Sequence, residues 1–180
     1  MRTLVDLDGV LADFEGGFLE AWRQRRPDAP FIPLEHRTTF YISQQYPPAW
    51  REAVLEVMRS PGFFRGLAPI SGGREAAWAM RQSGWEVFIC TSPLSPYGPC
   101  ALEKYQWVEQ HLGGDWVDQV ILARDKTVIR GDILIDDRPE VAGVETPAWE
   151  HVIYDQPYNR LAPLKRRLTW DNWRVVLGLP

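Results

Sequence analysis

The stretch Arg2-Thr3-Leu4-Val5-Asp6-Leu7-Asp8-Gly9 constrains the chain more than any other: an apolar strand runs straight into two carboxylates and a glycine. Side chains alternate along extended backbone, so Asp6 and Asp8 point the same way if the strand conformation persists through them. Gly9 then permits a sharp turn with unusual dihedrals. Two carboxylates at the mouth of a short buried strand repel each other, and a chain that tolerates them is expected to bind a cation between them. A bare D-x-D does not by itself separate this reading from a strand that merely ends in an acidic loop.

A second acidic pair tips the balance. Asp136-Asp137 closes the apolar run Asp132-Ile133-Leu134-Ile135, far along the chain. Between the two pairs lie Val87-Phe88-Ile89-Cys90-Thr91-Ser92-Pro93 and Val120-Ile121-Leu122-Ala123-Arg124-Asp125-Lys126. Each is a short apolar run ending in groups that can meet a phosphate, hydroxyls in the first and a lysine in the second. Alone, either tail is an ordinary loop. Together, these strand ends predict a parallel sheet whose carboxyl edge gathers the chemistry at its switch point.

The rest of the chain fits an α/β protein. A strand from about Arg2 to Leu7 is followed by helical spacing of Phe14, Phe18, Leu19 and Trp22, which stops at Arg26-Pro27-Asp28-Ala29-Pro30. A helix is expected from about Pro48 to Arg59, with Trp50, Val54, Leu55 and Met58 as its apolar stripe, broken by Pro61-Gly62. Residues 15–70 thus read as a helical insertion after the first strand, separating core segments 1–14 and 71–180. Ser71 is expected to cap a helix carrying Ala76, Trp78, Ala79 and Met80 and ending at Gly84. A strand at Trp85 to Cys90 follows, then a helix from about Ala101 to Leu112 with Tyr105, Val108 and Leu112 on one face. Strands near Val120 to Ala123, Asp132 to Ile135 and His151 to Tyr154 complete a sheet of about five strands with right-handed crossovers. A last short helix is expected around Trp170 to Leu177. The basic runs Arg23-Gln24-Arg25-Arg26 and Lys165-Arg166-Arg167 read as solvated surface.

Composition narrows the function. At 180 residues the chain can bury a sizeable core within one domain and its insertion. A net charge of -4 argues against binding to nucleic-acid polymers, which needs a basic surface. An anionic substrate must then be met locally, by a metal ion and a few lysines or arginines. Cys90 and Cys100 flank a Pro-rich turn; Cys90, in an apolar strand, reads as a small buried hydrophobe. The scattered His36, His111 and His151 indicate no zinc site. No signal peptide or membrane span is apparent, so a soluble cytoplasmic protein is expected.

The order D-x-D, Thr/Ser, Lys, D-D resembles that of the haloacid dehalogenase (HAD) superfamily of phosphotransferases. The segments VDLDGVLADFEGGF, VFICTSP, LEKYQWVEQHLG, ILARDKTV, DILIDDRP, WEHVIY and RRLTWDNWR are similar to those of the 5'(3')-deoxyribonucleotidases, which dephosphorylate deoxynucleoside monophosphates. The likeness covers nearly the whole chain and is weakest between about Pro47 and Gly84. It implies a Rossmann-like HAD core of parallel strands flanked by helices, with a small helical cap. It also implies Asp6 as the nucleophile that forms an aspartyl phosphate, and Asp8 as the acid and then base that serves both steps.

Mg²⁺ is the expected cofactor, since hard oxygen donors suit it. Its implied ligands are Asp6, the backbone carbonyl of Asp8 and Asp137, with Asp136 behind them or bridged by water. Thr91, Ser92 and Lys126 would bind phosphate; Lys104 and Arg124 would contact phosphate or sugar, with a surface role as the alternative. Phe14, Phe40, Tyr41, Ile42 and Leu94 match the family's nucleoside pocket. Met58 stands where relatives carry an aromatic, and Ser95-Pro96-Tyr97-Gly98-Pro99 departs from their pattern, so base preference does not transfer. The implied partner is a small nucleotide, and a homodimer is left open.

Three other readings compete with this one. A receiver-like phospho-acceptor uses similar groups, but there the acidic pair leads and the phosphorylated Asp comes later. A phosphatase of the same superfamily acting on a sugar phosphate, phosphoserine or ribonucleotide would share the chemistry and differ in the cap. A non-catalytic protein is disfavoured because every motif residue is present.

Overall fold

The computed structural model describes residues 1–95, 98–162 and 165–179. Thr3, Leu4 and Val5 of β1 (Arg2–Val5) are all buried. A strand without a polar face needs partners along both edges and cover on both faces. On one side Leu4 is in register with Phe88 of β2 (Glu86–Thr91), and on the other with Leu134 of β4 (Ile133–Asp136). β3 (Val120–Leu122) extends the β2 side, while β5 (Glu150–Tyr154) and β6 (Arg167–Leu168) extend the β4 side. The order is β3-β2-β1-β4-β5-β6, parallel throughout. Chain direction across the sheet reverses at β1, which opens a crevice at its carboxyl end.

The sixth strand corrects the expectation of about five. β6 is two residues long and carries no apolar run, so only its pairing with Ile153 and Tyr154 reveals it. In the same segment Arg166 is exposed, as expected of solvated surface, whereas Lys165 and Arg167 are partly buried and engaged in specific bonds. Arg167 donates to Asp155 and Asn159, Arg166 grips Glu150 with two 2.6 Å bonds, and Lys165 Nζ lies 2.9 Å from His151 Nδ1.

Helices cover the sheet. Asp13 caps α1 (Phe14–Arg25) by accepting from the Gly16 amide, and α1 buries Phe18 and Trp22. α2 (Ile42–Gln45) and α3 (Arg51–Arg59) follow, and α3 buries Val54, Val57 and Met58. Phe18, Trp22, Tyr46 and Trp50 pack ring on ring and join these helices. α4 (Gly73–Gln82) is not capped by Ser71: the residue before it is Gly72, at φ +80°. A Cβ on Gly72 would come within 3.0 Å of Trp170 Cβ, so glycine is required by both conformation and space. Trp170 itself lies ahead of α6 (Trp173–Leu177), and its indole donates to the Val10 carbonyl under the D-x-D turn.

α5 (Cys100–Leu112) turns Val108 and Leu112 inward as expected, but its buried face is broader and centred away from Tyr105. Glu103, Lys104, Trp107, Val108 and Leu112 are buried, and Tyr105 is only partly so. Both cysteines are buried free thiols, and burial pushes Cys90 up to about 12, as expected of a small hydrophobe. Residues from the sheet, α1 and α3 belong to one continuous apolar core. Among the described residues, no helix is long and apolar enough to cross a membrane.

Candidate active site

A cavity of about 400 Å³ opens where β1, β2 and β4 end. Asp6 extends the ladder one residue beyond β1, its amide donating to Ile135 O at 2.9 Å. The backbone then coils tightly, with the Val10, Leu11 and Ala12 amides all converging on the Leu7 carbonyl. Gly9 sits at φ +77°, and a Cβ there would lie 2.1 Å from Asp137 Oδ2. Glycine therefore lets the two acidic segments approach each other.

Each carboxylate of the D-x-D meets its own lysine. Lys126 lies in a turn (Lys126–Val128) capped by the Asp125 side chain, and its carbonyl accepts from the Trp149 indole. Its Nζ is 2.6 Å from Asp136 Oδ2 and 2.8 Å from Asp6 Oδ1. Burial opposes the ammonium charge, but Asp136 and Asp6 outweigh it and hold its pKa above the ordinary lysine value. Lys104, reaching in from α5, is fully buried; its Nζ is 2.5 Å from Asp8 Oδ2 and 2.9 Å from Thr91 Oγ1. That removes the surface alternative for Lys104. Burial raises both Asp6 and Asp8 above the usual carboxylate range, with Lys126 and Lys104 respectively opposing it.

Asp6, Asp136 and Asp137 are buried and bring one oxygen each within 4.8 Å of the others. The oxygens differ in what they already hold. Asp136 is occupied, accepting from Lys126 through one oxygen and from the Arg138 amide through the other. Asp6 Oδ1 has the Lys126 ammonium at 2.8 Å, while Asp8 Oδ1 and Asp137 Oδ1 are enclosed without a hydrogen-bond donor. Such oxygens are costly unless a cation or proton meets them. The donor set, all hard oxygen, fits a magnesium-like ion. Burial and the neighbouring Asp136 and Asp6 raise Asp137 well above the carboxylate norm, which is the same mutual repulsion seen from the proton side.

Thr91 and Ser92 both reach the site in different states. Thr91 Oγ1 accepts from Lys104, which leaves its own proton free to point into the cavity. The Ser92 hydroxyl instead donates to Ala123 O at 2.7 Å, joining the ends of β2 and β3. Beneath the edge, the His151 ring lies 3.4 Å from Asp136 O; burial and then Lys165 lower it to about 4.

The remaining walls are apolar. Phe14, Phe40, Tyr41, Ile42 and Leu94 all line the cavity, as does Met58. Ile42 is buried, whereas Tyr41 is 49% exposed at the rim. Arg124 lines the cavity from an exposed position. Of the Ser95 to Pro99 loop, Pro96 and Tyr97 lie outside the described residues.

Several site residues went unread in the sequence. Glu103 accepts from the Gly62 and Phe64 amides at 2.6 and 3.0 Å, which fixes Phe64 in the wall. Arg37 and Glu15 form a buried ion pair at 2.6 Å, and Arg37 also holds Gln45 and Thr39 O. Arg138 donates to the Tyr41 hydroxyl at 3.0 Å and lies over the Phe40 ring. Tyr158 donates to Asp137 Oδ2, and burial and Asp137 hold its hydroxyl protonated. A lone Arg, Glu or Tyr carries no local pattern; only the adjacency of Arg138 to the acidic pair was a usable signal.

Comparison with known proteins matches residues 1–178 to the family model described as 5' nucleotidase, deoxy (pyrimidine), cytosolic type C. The chain belongs to this family. The human cytosolic-type 5'(3')-deoxyribonucleotidase is 50% identical, over 98% of this chain and 93% of the relative. The mouse mitochondrial 5'(3')-deoxyribonucleotidase is 47% identical, over 98% and 85%. The fold is that of HAD hydrolases. A HAD-family hydrolase of Deinococcus radiodurans, solved with phosphate and sodium, superposes with a TM-score of 0.64 at 18% identity, covering 98% of this chain and 94% of its own. A HAD hydrolase of Bacillus subtilis, solved with magnesium, gives 0.63 at 11% identity, over 99% and 98%. The nucleotidase family thus joins a HAD sheet to the acidic site built above.

Proposed function

We propose that this cavity carries out Mg²⁺-dependent hydrolysis of deoxyribonucleoside monophosphates through an aspartyl phosphate on Asp6. The enzyme class follows from the family: the chain is a phosphoric monoester hydrolase of the deoxyribonucleotidase type. The observation that supports the mechanism is the division of labour in the D-x-D, where adjacent acids are held by separate lysines at one cavity. Environments that set two carboxylates apart are how one site supplies both nucleophile and acid.

In the first step an Asp6 oxygen attacks phosphorus and the bond to the sugar oxygen breaks. Asp8, whose burial favours the protonated form, gives that oxygen its proton. In the second step water attacks the phosphorus of the aspartyl phosphate. Asp8 takes the water's proton, and phosphate leaves Asp6 regenerated. Lys126 balances charge on Asp6, and Thr91 donates to a non-bridging oxygen. Ser92 would join it only by turning away from Ala123. Asp6, Asp137 and the Asp8 carbonyl would hold Mg²⁺, with Asp136 anchoring Lys126 behind them. When bound, the ion neutralises the phosphoryl oxygens and lowers the repulsion met by the nucleophile.

Residues 15–70 act as a cap over a core of 1–14 and 71–180, and the cap selects the substrate. Phe14, Phe40, Ile42 and Leu94 enclose the nucleoside, and a ribose 2'-hydroxyl set against them would lose water without gaining a partner. Lys104 positions Asp8 and Thr91, and Arg124 meets the substrate at the rim. The test is phosphate release from deoxy- and ribonucleoside monophosphates and simple phosphoesters, with and without Mg²⁺. Turnover that requires Mg²⁺ and favours dUMP and dTMP is expected; indifference to the sugar would leave a phosphatase of another substrate class. Net inversion at a chiral phosphorus would exclude the covalent route.

A further inference from the structure

We infer that Tyr158 is a positioning residue for the cation: its hydroxyl holds Asp137 Oδ2 and leaves the partnerless Oδ1 for the ion. This rests on the Mg²⁺ reading above and extends it to a segment that no motif marks, the turn Pro157–Asn159 after β5.

Three bonds tie this turn to both acidic segments. Tyr158 donates to Asp137 Oδ2. Asn159 Nδ2 donates to Asp137 O at 2.7 Å, and Gln156 Nε2 donates to Gly9 O at 2.7 Å. The turn is itself held from behind, since Arg167 of β6 donates to Asn159 Oδ1 at 2.8 Å and Asp155 Oδ1 at 2.9 Å. Tyr158 and Asn159 are both buried. A carboxylate has two oxygens; with Oδ2 occupied by Tyr158, Oδ1 is the one left for a ligand, and it is buried without a donor. Groups that orient a metal ligand from behind typically change metal affinity by about 10- to 100-fold when removed.

The ring of Tyr158 has a second set of neighbours. Phe40 meets it edge-on at 6.0 Å, and the Arg37 guanidinium lies 5.7 Å above it. Tyr158→Phe therefore removes the bond to Asp137 while keeping the ring that supports the nucleotide wall.

The experiment is a calorimetric titration of wild type and Tyr158→Phe with MgCl₂, alongside the Mg²⁺-dependent rise in Tm of each. Both proteins are first melted in EDTA to show that the variant folds. Mg²⁺ binding weakened by about 10- to 100-fold in Tyr158→Phe is expected, with its Tm curve displaced to correspondingly higher Mg²⁺. Should Phe melt too low to titrate, Tyr158→His, which keeps a ring and a donor, is expected to recover both folding and part of the affinity. Wild-type affinity in Tyr158→Phe would overturn the assignment while leaving the Mg²⁺ site standing. Absence of Mg²⁺ binding by wild type itself would overturn the cation reading and this inference with it.

Discussion

Along the sheet edge the cavity wall consists of buried charges, with Asp6, Asp136 and Asp137 crowded around Lys126, and Asp8 against Lys104. Across the cavity, the wall from Phe14 to Phe64 is built of rings and aliphatic groups. There the buried Arg37–Glu15 ion pair is set among the apolar groups, with Glu15 itself reaching the cavity. The first wall is held by mutual electrostatic constraint, so removing one member leaves an uncompensated charge. The second is held by packing, which yields more gradually to substitution. Chemistry requires the first kind of rigidity, whereas selecting among substrates requires only the second.

The most severe way to break the comparison is Asp6→Asn at the charged wall. Turnover should fall by at least about a thousandfold, roughly 4 kcal/mol, with the fold retained. Phosphate release above a tenth of the wild-type rate would sink covalent catalysis by Asp6. EDTA should abolish activity as completely and, unlike the substitution, reversibly on adding Mg²⁺.

Lys104→Met comes next. It strands Asp8 and withdraws a donor from Thr91, and a loss of about 3 kcal/mol of stability is expected. Urea denaturation measures it. A loss under about 1 kcal/mol would mean that the charged wall does not depend on pairing.

Acid should expose the same wall. The unfolded chain protonates His151 near its ordinary 6.5, but the folded protein only near about 4. Between those values the unfolded state binds the extra proton, so stability is complete above 6.5 and falls as pH drops towards 4. The difference corresponds to at most about 3 kcal/mol, and to roughly 2 once solvent at this part-buried ring is allowed for. Melting His151→Gln across this range should show a shallower acid limb; an unchanged limb would exclude His151 as its source.

The apolar wall should give the smallest effects. dUMP is expected to be hydrolysed at least about tenfold more efficiently than UMP, a preference worth about 1.4 kcal/mol. Ile42→Thr and Phe40→Ala should narrow the ratio by raising KM for dUMP, with a smaller change in kcat. A fall in kcat to match that of Asp6→Asn would mean that the two walls are not separable.

The chain's own order of residues determined the sheet, its parallel sense and most of the charged wall. Each strand is a short apolar run, and Asp6, Asp8, Thr91, Lys126 and Asp136-Asp137 sit at the ends of such runs, where period and polarity change abruptly. A signal of that kind is local and needs no partner to be read. β6 was illegible because two residues of Arg-Leu acquire strand conformation only from the edge of β5. The buried face of α5 includes Val108 and Leu112, as their apolar character implies, but also Glu103 and Lys104, for a reason no local pattern carries. The burial of Glu103 and Lys104 is compensated only once the Gly62–Arg65 amides and Asp8 are brought to them by other segments. Tyr158 likewise becomes part of the site through a bond across 21 residues of sequence. Sequence alone specifies groups whose environment is set by their neighbours along the chain; only the tertiary structure decides where a buried charge or hydroxyl finds its partner, because that partner is supplied by another segment.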